Sequence, residues 1–198
     1  WCQDQTETEE DSEEQIETVN NTVNRVIIIG LRRTPRQDVT YAARELVEIA
    51  LRALSPGIND PFTAMSCVDR LGCALGRLVE RSCPSQIRRD SESVPRLLIT
   101  TADGFAEVLK YSFGMIREYG SSNTTVSLKI LEALTGITSH ASRPEDIEVI
   151  RQEAEALQTA FEEHHLVKAD LISFQQAFDQ LNNLLESSLR MTREPELS

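Results

Sequence analysis

Apolar residues recur along most of this chain at the three-to-four-residue spacing of helices, and polar punctuation cuts the pattern into segments. Val39, Ala42, Ala43, Leu46, Ile49, Ala50, Ala53 and Leu54 form one stripe, with Arg44, Glu45, Glu48 and Arg52 largely off it, so an amphipathic helix is predicted there. Thr34-Pro35-Arg36-Gln37 fits a capping box with proline at the first helical position, and Asp38 adds a carboxylate to the first turn. Ser55-Pro56-Gly57 ends that segment. Asp60-Pro61 caps and starts the next, whose stripe is Met65, Val68, Leu71, Leu75 and Leu78. The pair reads as an αα-hairpin with a tight turn in which Gly57 supplies a left-handed φ.

Two further helices are predicted over roughly 103–119 and 123–139, the second capped by Asn123, and two more over roughly 145–164 and 168–190. The last two carry heptad-spaced seams: Ile147, Ile150, Ala154, Leu157 and Phe161 in one, Leu171, Phe174, Phe178, Leu181 and Leu185 in the other. Such seams pack on a partner helix. Ile172, Ala177, Leu184 and Leu189 widen the second seam beyond what one facing helix covers, which predicts a two-fold homodimer. Strand-like pattern is scarce. Arg25 to Gly30 is β-branched and stopped by glycine, and its best partner is Arg96 to Thr100. Ser82 to Val94, with Pro84, four serines and mixed charges, reads as a flexible loop.

The expected fold is therefore mainly α, a multi-helix bundle of about six or seven helices with a minor two-stranded β-pairing. Residues 1–24 read as an acidic, partly disordered segment in which Ile16, Val19 and Val23 keep helical spacing, 25–190 as the helical domain and 191–198 as a tail.

Charge narrows the partners. The chain carries net charge −12, distributed as −8 over residues 1–24, +4 over 25–100 and −8 over 101–198. That balance speaks against nucleic acid, whose binding needs clustered cations to displace counterions. Four cysteines, Cys2, Cys67, Cys73 and Cys83, show no metal-ligand spacing, and Cys67 and Cys73 read as small buried hydrophobes of a reducing compartment. No apolar run approaches the ~20 residues that span a bilayer. The opening at Trp1, without an initiator Met, reads as a cut or processed end.

Candidate chemistry is sparse. His164 and His165 are adjacent, so they point about 100° apart on a helix and cannot grip one ion together, and His140 stands alone. No metal or cofactor is expected, and no nucleophile elbow or phosphate loop occurs. Two stretches remain. Arg32, Arg33, Arg36 and Arg44 cluster around a helix start, where guanidinium groups and free N–H groups together suit an anion; surface solvation or pairing with Asp38, Glu45 and Glu48 explains the same residues. In the turn between the first two long helices, Ser55, Asn59 and Thr63 supply donors near a helix N-terminus, although Asp60 already places a carboxylate there.

Arg33 to Asp38, Leu46 to Ala64 and Asp69 to Gly72 together resemble the signature of a bacterial family of predicted membrane proteins of unknown function. The likeness is looser over Phe105 to Gly120 and Val126 to Leu134 and fades beyond Ala141. It implies a parent with membrane-spanning segments near its N-terminus followed by a soluble region, of which this chain would be the larger part, on the cytoplasmic side. It carries no activity or catalytic residue. Two readings follow: a non-enzymatic scaffold or sensor module, anchored through a segment outside this chain, or a domain that binds, or hydrolyses, a small anionic ligand at the arginine cluster and the Ser55–Thr63 turn.

Overall fold

The computed structural model of the chain describes residues 16–22, 25, 38–81, 87–98, 104–164 and 167–193. The chain divides into two compact units, Trp1–Thr34 and Pro35–Ser198. In the first, α1 covers residues 16–22, with Ile16 and Val19 exposed and the Thr22 hydroxyl donating to the Thr18 carbonyl at 2.8 Å. Arg25 is helical, and residues 26–30, expected as a strand, lie outside the described residues.

In the second unit the helices are α2 (Val39–Leu54), α3 (Pro61–Val79), α4 (Phe105–Gly120), α5 (Thr124–Thr138), α6 (Pro144–His164) and α7 (Lys168–Arg193). A short hairpin, β1 (Ile87–Arg89) against β2 (Pro95–Leu98), joins α3 to α4. The chain is thus mainly helical.

Three boundaries differ from expectation. The N-cap of α2 is Asp38, whose Oδ1 accepts from Tyr41 N at 3.0 Å, and not Thr34. Asp38 is extended, so α2 begins directly after it. The segment Ser82 to Val94 is not loop throughout, since 87–89 pairs with 95–98 around a turn in which Asp90 Oδ1 accepts from Glu92 N and Val94 N. Residues 95–98 therefore have β1 as their strand partner rather than 25–30.

Six helices bury one aliphatic core. Val47, Ala50 and Ala53 on α2, Val68, Leu71 and Leu75 on α3, and Leu109, Phe113 and Ile116 on α4 are almost wholly covered. On α2 the buried stripe runs through Val47, while Val39 and Ile49 are exposed: at 100° per residue Ile49 points about 110° away from the Ala43–Ala50 face, and Val39 is the first residue of the helix. Both heptad seams are buried, apart from half-buried Leu171, and α6 packs on α7 with the Phe161 and Phe174 rings stacked at 4.0 Å. α7 also packs on α5, so Ala177, Leu184 and Leu189 are half-buried inside the chain and only Ile172 of the widened stripe is exposed. The apolar surplus that motivated a dimer is largely used up within one copy.

α3 and α5 make the most extensive helix contact and run in the same direction. Gly72 allows it, because a Cβ there would stand 3.0 Å from the Ala133 Cβ. Lys129 spans the pair, 2.8 Å from Asp69 and 3.0 Å from Glu132. Cys67 faces the core, and burial pushes its thiol pKa up. Cys73 is exposed, against expectation, because it lies on the opposite side of α3 from Val68 and Leu75.

Candidate functional site

The Ser55–Asp60 turn is built from local bonds. Ile58 N and Asn59 N both donate to Ser55 O, at 3.0 and 2.9 Å, and Asp60 N reaches back to Ala53 O at 2.8 Å. The left-handed residue is Asn59, at φ 49°, and not Gly57. Asparagine tolerates that region better than most side chains. Asp60 then caps α3: its Oδ1 accepts from Thr63 N at 3.1 Å and its Oδ2 from Thr63 Oγ1 at 2.5 Å. The Thr63 hydroxyl and amide together hold the Asp60 carboxyl below the usual aspartate range.

The residues singled out for anion binding can now be placed. Thr63 is committed to Asp60, and the Ser55 hydroxyl donates to Arg52 O at 2.7 Å. Asn59 is exposed. Arg44 is exposed on α2, its Nε 3.0 Å from Glu48 Oε1, and that hydrogen bond raises its pKa. Arg32, Arg33 and Arg36 lie outside the described residues, and the division between the two units falls within the cluster, after Thr34. Arg44 lies in the second turn of α2, about 16 Å along the helix axis from Ser55, so these described residues form no common site.

The ordered polar contacts lie elsewhere. At the far end of α3, Arg143 Nη1 donates to Arg81 O at 3.0 Å, Nη2 to Val79 O at 3.1 Å, and Nε to Asp146 Oδ2 at 2.5 Å. One guanidinium thus caps the carbonyl end of α3 and ties it to the first turn of α6. Asp146 is buried, which raises its pKa against the pull of Arg143. Beside it, His140 Nδ1 lies 2.7 Å from Glu80 Oε1. Between α4 and α6, Arg117 Nε donates to Glu153 Oε1 at 2.9 Å, and burial raises the Glu153 pKa although Arg117 opposes it.

An open groove of about 510 Å³ runs between α3 and α5, with Gly72, Gly76 and Gly136 along it and Asp69, Arg77 and His140 among its polar residues. A smaller apolar cleft of about 100 Å³ lies between α2 and α3, lined by Val39, Leu46 and Leu78 among others. Among the described residues no three His, Cys, Asp or Glu side chains are placed to hold a metal ion. No helix among them is long and apolar enough to cross a membrane. Sequence reasoning missed the Arg143 contacts because they join residues 62 and 64 positions apart; proline at the start of α6 was the only local hint.

No solved structure matches the chain. Uncharacterized proteins of Mycobacterium bovis and of two Mycobacterium tuberculosis strains are each 36% identical to it over 120 residues. That stretch is 61% of this chain but only 23% of each relative. The family model described as Predicted membrane protein (DUF2254) matches residues 4–136, well over half of the sequence, and the chain accordingly belongs to that family of predicted membrane proteins of unknown function.

Proposed function

We propose that this chain is the soluble region of a membrane protein, on the cytoplasmic side, working through helix packing as a scaffold or sensor module. The observation that carries this reading is where the well-ordered polar side chains go. Arg143 joins α3 to α6, and Glu153 with Arg117 joins α4 to α6; these groups spend their hydrogen bonds on bracing helices, and Arg143 and Asp146 also border an open cleft of about 350 Å³ between the starts of α4 and α6. Family membership supports a membrane-bound parent, and the match to under a quarter of each relative leaves most of such a parent outside this region. The free thiols of Cys67 and Cys73 suit a reducing compartment.

The test is made on the full-length protein in its membrane. Deleting residues 38–193 is expected to change the number of copies in the assembly, read by native mass spectrometry, while replacing Arg44, Thr63 or Cys73 singly leaves assembly and phenotype intact. If the deletion leaves assembly unchanged, the scaffold reading fails. Loss of phenotype in Arg33→Gln/Arg36→Gln with assembly intact would overturn it in favour of an anion-binding domain.

A further inference from the structure

The apolar cleft between α2 and α3 is walled by hydrocarbon side chains alone. Val39, Ala42 and Leu46 of α2 and Ala74 and Leu78 of α3 line it, with buried Val108 of α4 at its floor, and its volume is about 100 Å³. No side chain there can hold a water, so the cleft gains by taking an apolar group. A dry cavity of about 150 Å³ takes a benzene-sized guest, and this one has room for a short run of methylenes. Its rim on α3 carries charge of one sign. Arg70 and Arg77 stand one turn to either side of Ala74, within about 60° of it around the helix and toward solvent. Arg81 follows the last turn, its N donating to Leu78 O at 3.0 Å. All three arginines are exposed, and among the described residues none meets a carboxylate, whereas Arg44, Arg117, Arg143 and Arg190 each do. The carboxylates around them are mostly engaged. Lys129 holds Asp69 and His140 lies against Glu80 on the other flank of α3; on α2, Arg44 holds Glu48 and Asp38 caps the helix. That leaves exposed Glu45 as one carboxylate facing three guanidinium groups.

We infer that the cleft and its arginine rim bind an alkyl chain with an anionic head group, the chain end in the cleft and a carboxylate or phosphate on Arg70 and Arg77. Each half selects one half of the ligand. Burying a methylene contributes about fourfold in affinity, and the cleft admits only a few. The mouth at Ala74 lies one helical turn from Arg70 and from Arg77, within reach of both side chains, and guanidinium groups hold carboxylate or phosphate through paired hydrogen bonds. A short anion would gain only the exposed arginines, which water and salt screen, and a neutral chain only the cleft. A free fatty acid and an anionic phospholipid of a bilayer both offer the required chemistry. The inference goes beyond the module reading above and does not depend on it.

Isothermal titration of the purified 198-residue chain with octanoate, hexanoate, acetate and 1-octanol tests this. Octanoate is expected to bind about fifteenfold more tightly than hexanoate, for two methylenes, and tenfold or more tightly than octanol, with no measurable binding of acetate. Arg70→Gln/Arg77→Gln should bring octanoate down to the level of octanol and leave octanol unchanged. Ala74→Leu, at an exposed position, should fill the cleft and weaken both; Ala42→Leu fills it from α2 if the first variant melts early. Vesicles of phosphatidylglycerol set against phosphatidylcholine assign the source: co-sedimentation with the former alone, lost in the same variants, makes it a bilayer lipid, and octanoate binding without it makes it a free carboxylate. Equal affinity for octanoate and acetate, or octanoate binding that survives the arginine pair or the filled cleft, would overturn the site. None of these outcomes bears on whether deletion of residues 38–193 changes assembly, so the two readings fail separately.

Discussion

The two ends of the helical unit use the same kind of part, a turn between helices, and dispose of polarity in opposite ways. At one end Asp60 and Asn123 cap α3 and α5 through short-range bonds that span two or three residues. Each turn there closes on itself, and its apolar side chains face outward. At the other end Arg143 and His140 reach Val79, Arg81 and Glu80 across sixty residues or more. Long-range polar contacts make that end a brace, whereas the first end is held by self-contained caps and by close packing around Gly120. Stability should accordingly respond to polar substitutions at the braced end and to steric or backbone changes at the locally capped one.

The largest effect is expected for Arg143→Met. The change removes two bonds to helix carbonyls and leaves the buried Asp146 carboxylate unpaired, a loss of about 2–4 kcal/mol given that Arg143 is partly exposed. Thermal unfolding should shift down by about 5–15 °C for a domain of this size. An unchanged melting temperature would mean that the braced end contributes no more than an ordinary surface.

At the locally capped end the sharpest steric position is Gly120. A Cβ there would stand 2.9 Å from Val126 Cγ1, on a β-branched side chain that cannot swing aside. Gly120→Ala is therefore expected to cost about 1–2 kcal/mol despite the helix propensity that alanine adds. Denaturant titration with an unaltered m-value would show it, and a stabilised variant would contradict the close approach of α2, α4 and α5.

Next in size comes the turn. Asn59→Val forces a β-branched residue to φ 49° and should cost about 1 kcal/mol or more. Gly57→Ala is expected to be neutral or stabilising by about 0.4–1 kcal/mol, because Gly57 has no positive φ and a Cβ there meets nothing within 4 Å. The reverse order of the two variants would return the left-handed position to Gly57.

How far the fold was legible in the sequence follows from the range of the forces that set each part. Helix spans were readable because periodicity and caps act within four residues: Asp60, Asn123 and both heptad seams are where the pattern puts them. The α2 start was misread because Thr34 and Asp38 both carry cap chemistry four residues apart, and only the extended backbone at Asp38 decides between them. Gly57 was misjudged because glycine permits a left-handed φ without requiring it. The reach of Arg143 to α3 was not legible, since the acceptors at Val79 and Arg81 are backbone carbonyls that no side-chain pattern encodes, whereas its Asp146 partner lies only three residues on. The arginines were chosen for charge density at a helix start and Ser55, Asn59 and Thr63 as donors near a helix N-terminus, and for Arg44 the carboxylate of Glu48, one turn on, is the partner.

The smallest change in stability is expected midway between the ends, at Glu153. Burial raises its pKa above the ordinary glutamate value of 4.5, and the hydrogen bond and charge of Arg117, with a lesser pull from Lys110, offset only part of that. The folded state therefore holds the Glu153 proton more tightly than the unfolded chain does. Its contribution is fully present below the unfolded value and is lost as pH rises through the raised one, so this group alone makes stability fall from about pH 4.5 upward. Asp60, whose pKa is lowered, acts with the opposite sign and weakens the fold as pH drops. Glu153→Gln separates the two. Glutamine keeps an oxygen to accept from Arg117 Nε and sheds the cost of a buried charge, while Arg117, 27% exposed, stays solvated without an ionised partner. At neutral pH the variant should melt at or slightly above the wild-type temperature, and the gap should close as pH approaches 4. A variant that melts lower at neutral pH, with the deficit vanishing in acid, would show that the ion pair outweighs its desolvation, and would extend the polar brace from the Arg143 end into the middle of the bundle.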